Sequence, residues 1–251
     1  MSTTTPATTT SAVTAVTAAT ATPVVTTTGT TTATTTAAAP TPATSRGQRR
    51  LLTAGVVAGP LYVAAVVGQY VVRDGYDPTR HAASVLANGD LGWVQIANFV
   101  VAAVLTVAAA AGLRRTGRAG TWAPRLVGVF GVSLLAAGAF RADPVEGFPP
   151  GTPAEAAETI SWHGLAHMGA GVVGFTCFAI ACFALGRHLR RTGRRGAARY
   201  SVAGGTLILA GFVAVSASAG ATWGVLAFTA GILAGWTWLA VTCARLARLP
   251  H

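Results

Sequence analysis

Six apolar stretches dominate the chain, at roughly 51–72, 92–113, 122–140, 161–185, 200–219 and 223–244. Each runs for about 19–25 residues, enough at about 1.5 Å per residue to cross a hydrocarbon layer of about 30 Å. None alternates polar with apolar at a period of two. The pattern predicts an all-α integral membrane bundle of six transmembrane helices. Residues 200–244 carry no charge and are too long for one span, so they divide at a tight turn near Ser216–Thr222. The stretch 122–140 is the least apolar because it holds Arg125, which lies near one end and can snorkel to the headgroups.

The polar residues between the runs are sorted by sign. Arg46, Arg49 and Arg50 precede the first span. Arg114, Arg115, Arg118 and Arg125 lie around the second connection, and Arg187, Arg190, Arg191, Arg194, Arg195 and Arg199 around the fourth. Arg245 and Arg248 follow the last span. With alternating spans, all of these fall on one side, which the positive-inside rule makes the cytoplasm. Every acid falls on the other: Asp74, Asp77, Asp90, Asp143, Glu146, Glu155 and Glu158, with only Arg73, Arg80 and Arg141 as cations. The expectation is a multi-pass protein of the cell membrane with both termini cytoplasmic, its inner arginines drawing anionic inner-leaflet lipid.

Composition agrees. The chain is 52% hydrophobic and 10% charged, where a soluble domain carries about 25% charged residues. A net charge of +11 would suggest nucleic acid in a soluble protein. Here the cations cluster between spans, so no nucleic-acid partner is expected. Cys177, Cys182 and Cys243 all sit inside apolar runs, without disulfide or zinc spacing, and read as small buried side chains. Residues 1–45 are Thr/Ala/Pro-rich, uncharged and aperiodic, and read as a disordered cytoplasmic tail on a membrane domain of residues 46–251. Small residues repeat at four-residue spacing, as in Gly55/Gly59, Ala166/Ala170/Gly174, Gly220/Gly224 and Gly231/Gly235. They favour close helix approach, within the bundle or in a homo-oligomer. Trp93, Trp122, Trp162, Trp223 and Tyr200 stand near span ends as interfacial anchors.

Two segments on the acidic side look ordered. Asp77-Pro78 suits the N-cap and first position of a short helix that Asn88-Gly89 would end, with His81 and Ser84 on adjacent turns. Thr152-Pro153-Ala154-Glu155 has the form of a capping box, which would start helix four outside the membrane. Glu155, Thr159, His163 and His167 would then share one stripe.

Three stretches also carry a resemblance: GYDPTRHAASVLANGDLGWVQIANF, GAFRADPVEGFPPGTP and HGLAHMGAG. They resemble motifs of the domain of unknown function 998 family, bacterial six-span membrane proteins without an assigned activity. The likeness covers roughly residues 50–245. It implies a fold and a membrane placement but supplies no reaction. Many relatives have an acid after the serine of the first motif. This chain has Val85, so a role resting on that acid does not carry over.

The chemistry available on the acidic face is a cluster of Asp77, Arg80, His81, Ser84, Arg141, Asp143, His163 and His167. One reading is a zinc site on His81, Asp143, His163 and His167. Imidazoles at i and i+4 reach one metal, a carboxylate adds a ligand, and the bound water becomes a nucleophile. A metal-dependent membrane hydrolase acting on lipid would follow. Membrane hydrolases of the ceramidase and progestin-receptor-like type are similar in combining a Ser, an Asp and an HxxxH pair. Ser84, His81 and Asp143 could also serve as a catalytic triad. The plainer reading is structural: a hydrogen-bonded clamp on the loops, with Asp143 paired to Arg141 or Arg80. A third is a ligand-binding or transport site, for which Gln69 is the deep polar candidate. Haem does not suit two histidines on one helix. A structural or ligand-binding membrane protein is the expected role.

Overall fold

The computed structural model describes residues 46–153 and 159–248. The tail 1–45 and Glu155 of the expected capping box lie outside the described residues. The fold is all-α, with six helices long and apolar enough to cross a membrane and no strand among the described residues. They are α1 (Arg46–Val72), α2 (Gly92–Arg115), α3 (Trp122–Ala139), α4 (Trp162–Arg191), α5 (Arg195–Ala217) and α6 (Thr222–Arg248). Each expected apolar run is one helix.

The helices reach beyond the apolar runs mainly at their arginine ends. α1 starts at Arg46, α2 ends at Arg115, α4 at Arg191 and α6 at Arg248. Arginine is a good helix former, and a cation in the last turn of a helix faces the negative end of its dipole. Arg125, exposed in the first turns of α3, lies over the Trp122 ring at 5.4 Å.

Each helix packs on its neighbours in the chain, and α6 returns to α1, so the six close into a ring. Aromatic side chains meet inside it: Tyr62 of α1, Phe99 of α2, Phe130 of α3, Phe178 of α4 and Trp236 of α6. Phe130 and Phe178 stack at 4.2 Å between centroids. Small residues let the helices approach closely. A Cβ on Gly55 would stand 2.5 Å from Cys243 Sγ, and one on Gly231 would stand 2.9 Å from the Leu207 carbonyl oxygen. These glycine faces are therefore buried within the chain's own ring. Val101, Val104, Val132, Val172 and Val213 are exposed, the arrangement a hydrocarbon surrounding favours. So are Trp93, Trp122, Trp162 and Trp223 at helix ends.

The described acids, Asp74, Asp77, Asp90, Asp143 and Glu146, all lie in the connections α1–α2 and α3–α4. We call this the acid end of the bundle. Two local expectations are corrected there. The helix expected from Pro78 is a turn over residues 77–81, followed by a 3-10 helix, Ala83–Ala87. Asp77 Oδ1 accepts from the backbone N–H and the hydroxyl of Thr79, closing a turn instead of capping a helix. Helix four begins at Trp162, capped by Ser161, and residues 159–161 are not helical. The expected stripe through Thr159, His163 and His167 therefore does not form.

Candidate functional site

At the acid end two loops close on each other around Arg73, the first residue past α1. Its guanidinium is buried and donates to the Leu86 carbonyl at 3.0 Å and to the Asn88 carbonyl. It also lies 5.1 Å from the centre of the Phe148 ring. One cation thus satisfies the free carbonyls at the end of the 3-10 helix. Burial pulls the Arg73 pKa down, and Asp90 partly offsets this. Asn88 carries the tie onward, donating from Nδ2 to the carbonyls of Val85 and Ala142.

His81 is buried in the same assembly. Its Nδ1 accepts from the Asp77 N–H at 3.0 Å, which leaves the proton on Nε2 to face the Glu146 carbonyl at 3.3 Å. Its ring packs against Tyr76 and Phe148. The Tyr76 hydroxyl donates to the His81 carbonyl at 2.9 Å, and burial pushes that phenol's pKa well up. Glu146 has a left-handed backbone, φ 45°, at the tip of a tight turn in which Val145 and Phe148 exchange backbone hydrogen bonds. Its carboxylate takes Arg80 at 3.0 Å, a pair open to solvent. The Phe148–Pro149 bond that follows is cis.

Asp143 belongs to a second unit. Its Oδ2 accepts from the Ser161 N–H at 2.9 Å, and its Oδ1 from the Ser161 hydroxyl. The Ser161 oxygen in turn accepts from the Gly164 N–H at 3.0 Å. A carboxylate and a hydroxyl in series therefore hold the start of α4, where the helix dipole favours negative charge. The expected pairing of Asp143 with Arg141 or Arg80 is not formed. Arg80 goes to Glu146, and Arg141 is exposed without a hydrogen bond among the described residues.

The two histidines of α4 part company. His163 is exposed and stacks on Trp162 at 3.5 Å. His167 is half-buried, and its Nδ1 lies 2.8 Å from the Phe140 carbonyl and 3.2 Å from that of Ala137. These are free carbonyls at the end of α3, so Nδ1 carries the proton. No group of three or more His, Cys, Asp or Glu side chains among the described residues is placed to hold a metal ion. His81 and Asp143 spend their donor atoms on main chain and on Ser161, so the four zinc candidates form no common ligand set. Nor does His81 bond Ser84 or Asp143 as a triad requires.

Ser84 and His167 do share a feature. Both line a cavity of about 270 Å³ inside the ring, walled mainly by Phe99, Phe130, Phe175, Phe212 and Trp236. Side chains or backbone of all six helices reach it. Gln69 is buried but is not among the residues that line it, and donates to Gln95 at 2.9 Å and to the Ala65 carbonyl at 3.1 Å. At the opposite end, Arg187, Arg190, Arg195 and Arg199 line a groove between α4 and α5.

Sequence reasoning passed over Arg73, Tyr76, Asn88 and Phe148 as members of the loop assembly. Arg73 did carry a signal, as a rare cation directly after a span on the acid side. Asn88 read only as a helix stop.

The chain belongs to the DUF998 family, described as proteins of unknown function, and residues 56–245 match it. No curated protein and no solved structure matches the chain.

Proposed function

We propose that this DUF998 membrane protein binds an apolar small molecule in the cavity inside its helix ring, beneath loops that act as a fixed extracytoplasmic cover. The cavity carries this reading. It is close to the size of small-molecule sites, about 300 Å³ upward. Its wall is largely aromatic, and few polar groups enter it. The loop cluster supports it by what it does with its polar atoms. Arg73, His81, Asn88 and Asp143 bond carbonyls, amides and Ser161, which stiffens the cover. The arginine groove at the other end suits anionic headgroups of the cytoplasmic leaflet, with both termini on that side.

Native mass spectrometry of protein released from lipid nanodiscs tests the reading. The wild-type protein should retain an apolar small molecule that Ala170→Trp, which fills the cavity, releases. Equal retention by both, or none by either, would refute it.

A further inference from the structure

The cavity has a side wall of unusual form. α4 and α5 are tight near the arginine end. A Cβ on Gly205 would stand 3.0 Å from both the Ala179 carbonyl oxygen and Cys182 Cβ, and one on Gly186 would stand 3.2 Å from the Ala198 carbonyl oxygen. Towards the acid end the pair opens. Among the described residues, the one atom from outside α4's own backbone within 4 Å of a Cβ on Gly171 is in the Phe212 ring, at 3.8 Å. Phe175, Phe212 and Phe228 occupy the widening. Met168 and Val172, 55% and 51% exposed, line the cavity and also face outward. In a six-span protein, outward at this level means the hydrocarbon of the bilayer.

Polar capacity is concentrated at the upper end of the same space. In the neutral imidazole, with His167 Nδ1 donating to carbonyls of α3, Nε2 is a bare acceptor, and it makes no hydrogen bond among the described residues. Ser84 Oγ, also on the wall, makes none either. Of the other lining hydroxyls, those of Ser133 and Ser216 donate to their own helices, and that of Tyr62 is paired with the Gln95 side chain. No arginine among the described residues lines the cavity. His167 sits five residues into α4, about 7–8 Å below Trp162, itself exposed as an interfacial anchor.

Resting on the cavity reading above, we infer that the ligand is a single-chain lipid with an uncharged hydroxyl head, admitted sideways from the bilayer between α4 and α5. The hydroxyl donates to His167 Nε2 and meets Ser84 Oγ. The chain lies along Phe175 and Phe212, and its end remains in the portal. This places the lipid head-up towards the acid end, as in the leaflet on that side. A fatty acid anion is disfavoured because a neutral imidazole acceptor offers it no proton and no arginine among the described residues lines the cavity.

Photoreactive hexadecanol, hexadecane and palmitate, each with a diazirine in the chain, test the proposal on full-length protein in liposomes. Hexadecanol should label the Phe175–Phe212 region most strongly. His167→Asn keeps a donor for the Phe140 carbonyl and lacks the Nε2 acceptor. It should weaken hexadecanol capture about fivefold, the value of one hydrogen bond, and leave hexadecane unchanged. Gly171→Leu should reduce labelling by both. The thermal midpoint of each variant checks its folding. Equal capture of hexadecanol and hexadecane, indifference to His167→Asn, or palmitate matching hexadecanol would overturn the head assignment while leaving the cavity reading intact. Labelling untouched by Gly171→Leu would overturn the portal. Absence of cavity labelling by any probe would overturn the cavity reading itself.

Discussion

A methyl group on Gly164 would stand 2.7 Å from Cγ of Asp143, inside the contact distance of any real Cβ. The glycine is there because the carboxylate that holds Ser161 crosses the first turn of α4 at that point. Gly164→Ala should therefore destabilise by about 2 kcal/mol, as overpacking does. Asp143→Ala should cost about 1–2 kcal/mol as a lost cap. In the Asp143→Ala background the alanine at 164 has room, so the double variant should be more stable than the two single costs predict. Thermal unfolding of the four proteins in one detergent measures the coupling, and strict additivity would show that the two residues do not interact.

Arg73 joins the end of α1 to the carbonyls of Leu86 and Asn88 and to the face of Phe148. Arg73→Met should cost about 3 kcal/mol, because two buried carbonyls lose a charged partner. Arg73→Lys should rescue little of it, since an ammonium cannot reach both carbonyls in the same plane as a guanidinium fork. Hydrogen exchange should quicken at residues 83–92 in both variants. Protection there equal to wild type would remove Arg73 from the centre of the assembly.

The six helices were legible because a hydrocarbon layer leaves the backbone few options, and length with charge states the result directly. The small-residue faces were legible for the same reason, since Gly55 and Gly231 mark close approach wherever they pack. The loops were not. Asp77-Pro78 has the chemistry of a helix start, but the same oxygen closes a turn with Thr79, and the chain then extends at Ala82 so that His81 turns inward. His163 and His167 share a face on an ideal helix. Only the neighbours decide that one meets α3 and the other meets Trp162. Long-range partners such as Glu146 for His81, 65 positions apart, leave no local pattern.

Two of the three candidate metal histidines, His81 and His163, should differ in what their loss costs. His81→Ala breaks two main-chain bonds and opens a gap beside Phe148, so it should destabilise by about 2 kcal/mol. His163→Ala, at an exposed position, should change stability by less than about 0.5 kcal/mol. Chelator treatment should leave the thermal midpoints of all three proteins where they were. A shift on chelation in the wild type that both variants lack would instead tie the two histidines to one ion.

Asp77 predicts a pH dependence of known sign. The Thr79 hydroxyl and N–H stabilise its carboxylate and hold its pKa below the usual carboxylate range. A group with a depressed folded pKa stabilises the protein above its unfolded value, about 3.9, and loses that contribution as pH falls through the folded value. Wild type should thus lose stability in this acidic window faster than Asp77→Asn, which has no carboxylate to protonate. Thermal midpoints of both proteins across the window decide it, and parallel curves would show that Asp77 contributes nothing.

Membrane orientation is the last consequence and the one on which the cover depends. The described acids occupy two connections at one end, while fifteen of the eighteen arginines belong to the other side by alternation of the spans. The proposed orientation follows from the positive-inside rule, which would put both termini in the cytoplasm. Cys182 and Cys243 are buried and Cys177 is half-buried within α4, so single cysteines can be introduced against a quiet background. Arg80→Cys and His163→Cys should both react with an impermeant maleimide added to intact cells. Arg115→Cys and Arg194→Cys should react only after permeabilisation. Labelling of positions 80 and 163 from opposite sides would separate Arg80–Glu146 from the start of α4 and leave the cavity without the cover proposed for it.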